Sequence, residues 1–189
     1  MSNIIHESSR GIDLVPIEDE FLKRRELFLT GTVTTESMGQ MLKQLFYLDG
    51  DGKAEITIYI NSPGGTVGDG LAVYDVISKL KSPVKTVCIG TCASMGAILF
   101  LAGTKRQIMK HGKIMIHDPA FGGNHDMGGK KPHEIQSELD DLNKCKKALA
   151  EIIAEKTGKT VDEIYEVTAN DTYYDAGEAL EFGLATEII

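Results

Sequence analysis

Ser94 lies in Gly90-Thr-Cys-Ala-Ser-Met-Gly96, between the apolar runs Val84-Lys-Thr-Val-Cys-Ile89 and Ala97-Ile-Leu-Phe-Leu-Ala102. On a sharp turn from strand to helix a small alcohol is exposed and aimed, and backbone N–H groups at the helix start can meet an oxyanion. A serine hydroxyl is a poor nucleophile at neutral pH unless an imidazole takes its proton and an acid holds the imidazole's tautomer. His117, which closes the run Ile114-Met-Ile-His117, supplies the imidazole. Asp118, Asp126, Asp140, Asp162, Asp171 and Asp175 all follow it, and spacing does not choose the acid among them. A second glycine turn, Asn61-Ser-Pro-Gly-Gly65, follows the apolar Ile56-Thr-Ile-Tyr-Ile60. Gly64 and Gly65 let a main chain approach a carbonyl with no Cβ in the way, and with the Met95 N–H they would form a two-donor oxyanion pocket.

Taken singly, each of these residues has a plainer role: a small residue at a helix start, a histidine at a strand end, a turn that opens a helix. Their recurrence at three strand ends is what points to chemistry, because open α/β sheets keep their sites at one edge. His125 and His133, with Asp126 between them, could hold a metal, but the spacing fits no ligand motif. No metal and no cofactor is assigned.

The elements that must position these groups alternate. Strand signals fall near 26–30, 55–60, 84–89, 107–110 and 113–117. Between them Met38, Met41, Leu42, Leu45 and Phe46 recur at helical spacing, and so do Val67, Leu71, Tyr74, Ile77 and Leu80. Parallel crossovers and an α/β layered fold follow. The glycine-rich stretch between Ala120 and Pro132 reads as a loop or edge ribbon. From about His133 to Lys156 runs the longest helix, with Ile135, Leu139, Leu142, Leu149, Ile152 and Ile153 as its stripe and Gly158 placed to stop it. Thr160-Val-Asp-Glu163 is a capping box for a short helix, and a last helix over 176–183 precedes a strand over 184–189. Residues 1–20 show no period and read as a mobile arm, which leaves 21–189 as one domain.

With 189 residues, 42% of them hydrophobic, the chain can bury one substantial core. Its net charge of −8 argues against a nucleic-acid or anionic-membrane partner. No apolar run approaches a membrane span, so a cytoplasmic setting is expected. The three cysteines have no C-x-x-C spacing, which fits reduced thiols.

Tyr59-Ile-Asn-Ser-Pro-Gly-Gly65, Cys92-Ala-Ser-Met-Gly-Ala97 and Met115-Ile-His-Asp-Pro119, in that order, resemble the proteolytic subunits of the Clp protease family. The resemblance extends to Ser9-Arg-Gly11, Phe28-Leu-Thr-Gly31, Thr157-Gly158, Asp171 and Glu178-Ala-Leu-Glu-Phe-Gly-Leu184. It implies a ClpP/crotonase-like α/β spiral of βαβ units with a projecting handle region over about 120–157. It further implies Ser94 as nucleophile, His117 as base and then acid, Asp171 as orienting acid, and Gly65 and Met95 as oxyanion donors. The implied assembly is two stacked heptameric rings that degrade unfolded polypeptides delivered by an AAA+ unfoldase of ClpX, ClpA or ClpC type. Phe121, Gly122 and Gly123, within the stretch 121–129, would line the substrate path, where a glycine-rich ribbon can pair with an extended peptide. This chain has no P-loop, so ATP would be spent by the partner. Asn170 stands where the family generally has arginine, and Thr57 and Lys79 replace residues that are usually aromatic or apolar in the docking pocket, where Tyr59 remains. Alternatives in view are a catalytically silent ring subunit within a mixed complex and a crotonase-type acyl-CoA enzyme. The latter needs no Ser-His-Asp set.

Overall fold

The computed structural model describes residues 2–8, 11–122 and 128–189. Three parallel crossovers build the body: β3 (Glu26–Thr30), α2 (Thr35–Asp51), β4 (Ile56–Ser62), α3 (Val67–Lys79), β5 (Val84–Ala93), α4 (Met95–Leu101) and β6 (Lys105–Ile108). β7 (Lys113–Ile116) follows, then α5 (Pro132–Thr157), α6 (Val161–Thr168), β8 (Thr172–Tyr174), α7 (Ala176–Phe182) and β9 (Glu187–Ile188). The order along the main sheet is β3-β4-β5-β6-β9, with β7 branching from β5 and β8 pairing β7.

β5 carries the branch. Its first half, Lys85 to Cys88, pairs with β6, and its second half, Thr91 to Ala93, pairs with β7. Between the halves the β4 register jumps from Ile60↔Cys88 to Ser62↔Cys92, so β5 holds extra residues there. Such a bulge bends and re-aims a strand. The Asn61 side chain fixes it, its Oδ1 accepting from the Thr91 N–H at 2.9 Å.

The core lies between the sheet and α2, α3 and α4. Ile56, Ile58 and Ile60 of β4 are buried, as is every residue of α4, which is why that helix reads as a continuous apolar run. On α2 the buried stripe is Met38, Met41, Leu45 and Leu48. Phe46 lies outside it, exposed beside Tyr47, because the inward face is centred on the Met41/Leu45 side. α5 departs further from its expected stripe: no residue before Leu149 is buried, and Leu139 is exposed. The N-terminal part of this helix therefore extends from the body, and only Leu149, Ala150, Ile153 and Ala154 join the core.

The segment expected as an arm has regular structure. β1 (Asn3–Ser8) and β2 (Gly11–Pro16) form an antiparallel hairpin, and α1 (Ile17–Lys23) already opens the body. Ile5, Ile12 and Leu14 are exposed, so no buried face imposes a period on the sequence there. The last strand is limited to Glu187–Ile188, and Leu184 and Ala185 are buried in the approach to it. Among the described residues no helix is long and apolar enough to cross a membrane.

Candidate active site

Three adjacent strand ends deliver the candidate residues. β7 is central, parallel to β5 and antiparallel to β8. Ser94 follows the last β5 residue, and its N–H donates to the Met115 carbonyl at 2.9 Å, which sets it beside the end of β7. The β7–β8 register pairs Ile114 with Tyr174, Met115 with Tyr173 and Ile116 with Thr172. Carried one step on, that register sets His117 against Asp171.

The side chains complete the row. His117 Nε2 lies 2.8 Å from Ser94 Oγ, and His117 Nδ1 lies 3.3 Å from Asp171 Oδ1. A proton on Nδ1, the nitrogen that faces the carboxylate, leaves Nε2 as the acceptor that a serine proton needs. The His117 side chain is 27% exposed and that of Asp171 62%, so the site opens to solvent on its acid side. Among the described aspartates downstream of His117, Asp171 is the one against the imidazole. Asp118 turns away to Lys146 and Thr168.

Ser94 has φ 52° and ψ −123°, a left-handed backbone costly for a residue with a Cβ, and its side chain makes no capping bond to α4. The turn thus spends backbone strain to leave Oγ aimed at His117. Gly64 packs directly on this turn: a Cβ there would stand 2.7 Å from Ser94 Cβ and 2.9 Å from Met95 N. Gly65 is as constrained, since its Cβ would meet the Val33 carbonyl oxygen at 2.1 Å.

The candidate oxyanion donors narrow from three to two. The Gly64 N–H donates to the buried Ser62 Oγ at 3.1 Å, so Gly64 serves as a close-packing surface and not as a donor. The bridge between Val33 and Gly65 uses the Gly64 carbonyl and the Thr66 N–H, which leaves the Gly65 N–H outside it. Met95 is the first residue of α4, where a helix has no internal acceptor for the N–H.

Beside Ser94 and His117 opens a small cleft lined by Val67, Met95, Ile98, Ile116, Pro119, Leu149 and Ile153. Its walls are apolar, the lining that would suit an apolar side chain next to the reacting bond. Phe121 and Gly122 are exposed and outside regular structure, while Gly123 lies outside the described residues, as do His125 and Asp126. Among the described residues no group of His, Cys, Asp and Glu is arranged to hold a metal. Cys88 and Cys92, upstream on β5, are free and buried. Burial pushes the Cys92 thiol well up, whereas a hydrogen bond from Cys92 lowers that of Cys88. Neither lies at the mouth of the cleft.

What sequence reasoning missed is β8. Three residues are too few to show a period, yet the register of β8 on β7 is what brings Asp171 opposite His117. Thr57, expected in a docking pocket, is buried, while Lys79 is exposed at the end of α3.

A model of the Clp protease family matches residues 9–189. The chain is 37% identical over 189 residues to ATP-dependent Clp protease proteolytic subunit 2 of Parasynechococcus marenigrum (strain WH8102), a match covering 98% of this chain and 93% of the relative. Proteolytic subunit 1 of Synechococcus sp. (strain CC9902) matches with the same identity and coverage. Subunit 2 of Synechococcus sp. (strain CC9605) is 36% identical with that coverage. Likeness of this length, on a chain whose parallel sheet and crossover helices have the architecture of the ClpP fold, makes this protein a member of the Clp protease family.

Proposed function

We propose that this chain is a serine endopeptidase subunit of a chambered, ATP-dependent Clp protease. The observation that carries the reading is the unbroken row from Ser94 Oγ through His117 to Asp171, at 2.8 and 3.3 Å. In acylation the Ser94 Oγ–H proton passes to His117 Nε2 as Oγ bonds to the peptide carbonyl carbon. The carbonyl oxygen becomes an oxyanion that accepts hydrogen bonds from the Gly65 and Met95 N–H groups. His117 then returns its proton to the leaving amine as the C–N bond breaks. Water, deprotonated in turn by His117, releases the acyl group and restores the serine. Asp171 holds the Nδ1–H tautomer and offsets the imidazolium charge. Each backbone donor in such a pocket is worth about 10²–10³ in rate.

The assembly and partners belong to the same proposal: heptameric rings, two of them stacked, fed by an AAA+ unfoldase in the cytoplasm. The extension of α5 from the body supports ring pairing, and an outer aromatic cluster supports docking. In that cluster Tyr59 stacks on Phe28 at 5.1 Å, and Phe21 meets Phe28 edge-on at 4.8 Å. The curated relatives carry numbered names, subunit 1 and subunit 2, which favours a second reading in which this chain works beside a partner isoform. Cleavage of a short peptide by the purified chain, and of an unfolded protein once an AAA+ unfoldase is added, tests the first reading. The homomer alone cleaves short peptides, Ser94→Ala abolishes cleavage, and unfolded substrates need the unfoldase. Activity that survives Ser94→Ala would overturn the mechanism, and cleavage seen only after mixing with a second isoform would favour the alternative.

A further inference from the structure

Neither Ser94, His117 nor Asp171 accounts for what keeps the histidine and the aspartate opposite one another. Register alone does not do so, because β8 is three residues long and ends the sheet beyond β7. Asp171 is exposed, so its placement falls to the backbone on either side of it. On one side that backbone is the C-terminal end of α6, which closes at Thr168.

Thr168 is tied twice to the residue that follows His117. The Asp118 N–H donates to the Thr168 carbonyl at 2.7 Å. The Thr168 hydroxyl donates to Asp118 Oδ1 at 2.8 Å, and the Ile164 carbonyl stands at the same distance. One hydroxyl hydrogen serves both acceptors, and charge favours the carboxylate. The second carboxylate oxygen, Oδ2, receives Lys146 Nζ of α5 at 2.5 Å, and the same ammonium lies 5.0 Å from the centre of the Tyr165 ring on α6. Both partners of the ion pair are part-buried, with side chains 33% and 28% exposed. A charge-assisted bond so shielded is stronger and less screened than a surface pair.

We propose that Asp118 is a positioning residue for the reaction: by clamping Lys146 of α5 and Thr168 of α6 it fixes the backbone of His117 relative to that of Asp171. The inference rests on the protease reading only for its kinetic readout. Asp118 touches no reacting atom, and its effect passes through the alignment of His117. Placement in α5 then reaches the imidazole through a single carboxylate.

Two variants separate position from charge. Asp118→Asn keeps the shape and a Thr168 acceptor but ends the ion pair, and Lys146→Met ends the same pair from the other side. Acting by field alone, loss of the carboxylate would disfavour the imidazolium, and loss of the ammonium would favour it, so the two would change the rate in opposite directions. Acting through position, both slow acylation. The experiment measures the rate of Ser94 phosphonylation by a fluorophosphonate in the assembled protein. In parallel, ¹⁵N-histidine-labelled protein is followed by NMR for the His117 Nδ1–H signal. Both variants are expected to label about 10- to 100-fold more slowly, the range for a misplacement of about 1 Å, with KM for a peptide little changed and the Nδ1–H signal lost to exchange. Lys146→Arg, which keeps charge and donors, recovers most of the rate. Opposite rate changes, or wild-type rates with the signal retained, would overturn the proposal. A wild type that does not label, but whose Nδ1–H signal is lost in both variants, would leave the clamp standing and overturn the protease reading instead.

Discussion

Replacing Gly65 by alanine puts a methyl carbon 2.1 Å from the Val33 carbonyl oxygen and 3.0 Å from Thr32 Cγ2. Real Cβ atoms essentially never approach closer than 3.0 Å, so 0.9 Å must be gained. Backbone carbonyls yield poorly, and this one already accepts from the Thr66 N–H at 2.9 Å. The displacement therefore falls largely on residue 65, whose φ of 149° also disfavours a side chain. A donor moved by that much leaves the oxyanion with one N–H where two stood, a loss of about 10²–10³ in kcat, or roughly 3–4 kcal/mol. Gly68, in the first turn of α3, is the control, because its Cβ would meet nothing within 4 Å. The assay is initial-rate cleavage of a fluorogenic peptide over a range of concentrations, with circular dichroism to establish folding. Gly65→Ala should lose kcat with KM nearly unchanged, while Gly68→Ala stays at wild type. A folded Gly65→Ala within about threefold of wild-type kcat would remove Gly65 from the oxyanion pocket.

Asp171→Asn should leave the fold intact and lower kcat by about 10⁴, because the amide donates where a carboxylate accepts and turns the imidazole to the wrong tautomer; a drop under tenfold would show that Asp171 is not the orienting acid. Val67→Phe fills the apolar cleft beside Ser94, so KM should rise for peptides with a large apolar residue before the cut and stay level for alanine; equal effects on both would place the substrate side chain elsewhere. Alkylation of the native chain should reach Cys145 alone, slowly at pH 7 and faster as pH rises, since burial raises its thiol and only the thiolate reacts, whereas Cys88 and Cys92 are fully buried. Peptide mapping that found Cys92 modified first would contradict the packing of β5.

The legible parts of this sequence are those with a repeating environment. β4 and the start of β5 are buried along most of their length and β3 on one face, and their apolar runs and following helices give the crossover order directly. Ser94 and His117 stand out because each ends such a run. Asp171 does not, for its position depends on β8, whose partner strand lies more than fifty residues earlier. Gly64 and Gly65 are equal as letters, and the Ser62 hydroxyl, which engages one N–H of the pair, is what separates them. On α5 the apolar positions continue past the point where the helix leaves the body, so periodicity there reports a face without reporting what covers it. Phe46 and Tyr47 are the converse, aromatic residues at the margin of a stripe that packing centres elsewhere.

The most direct test of the central claim is intact-mass analysis of the purified chain after treatment with a fluorophosphonate, with peptide mapping of the adduct and Ser94→Ala as control. One adduct per chain, mapped to Ser94 and absent from the variant, is the predicted result, because only a serine hydrogen-bonded to His117 is nucleophilic enough to be phosphonylated. An unlabelled wild type in its assembled form, or an adduct on another residue, would contradict the claim that Ser94, His117 and Asp171 form a working nucleophile.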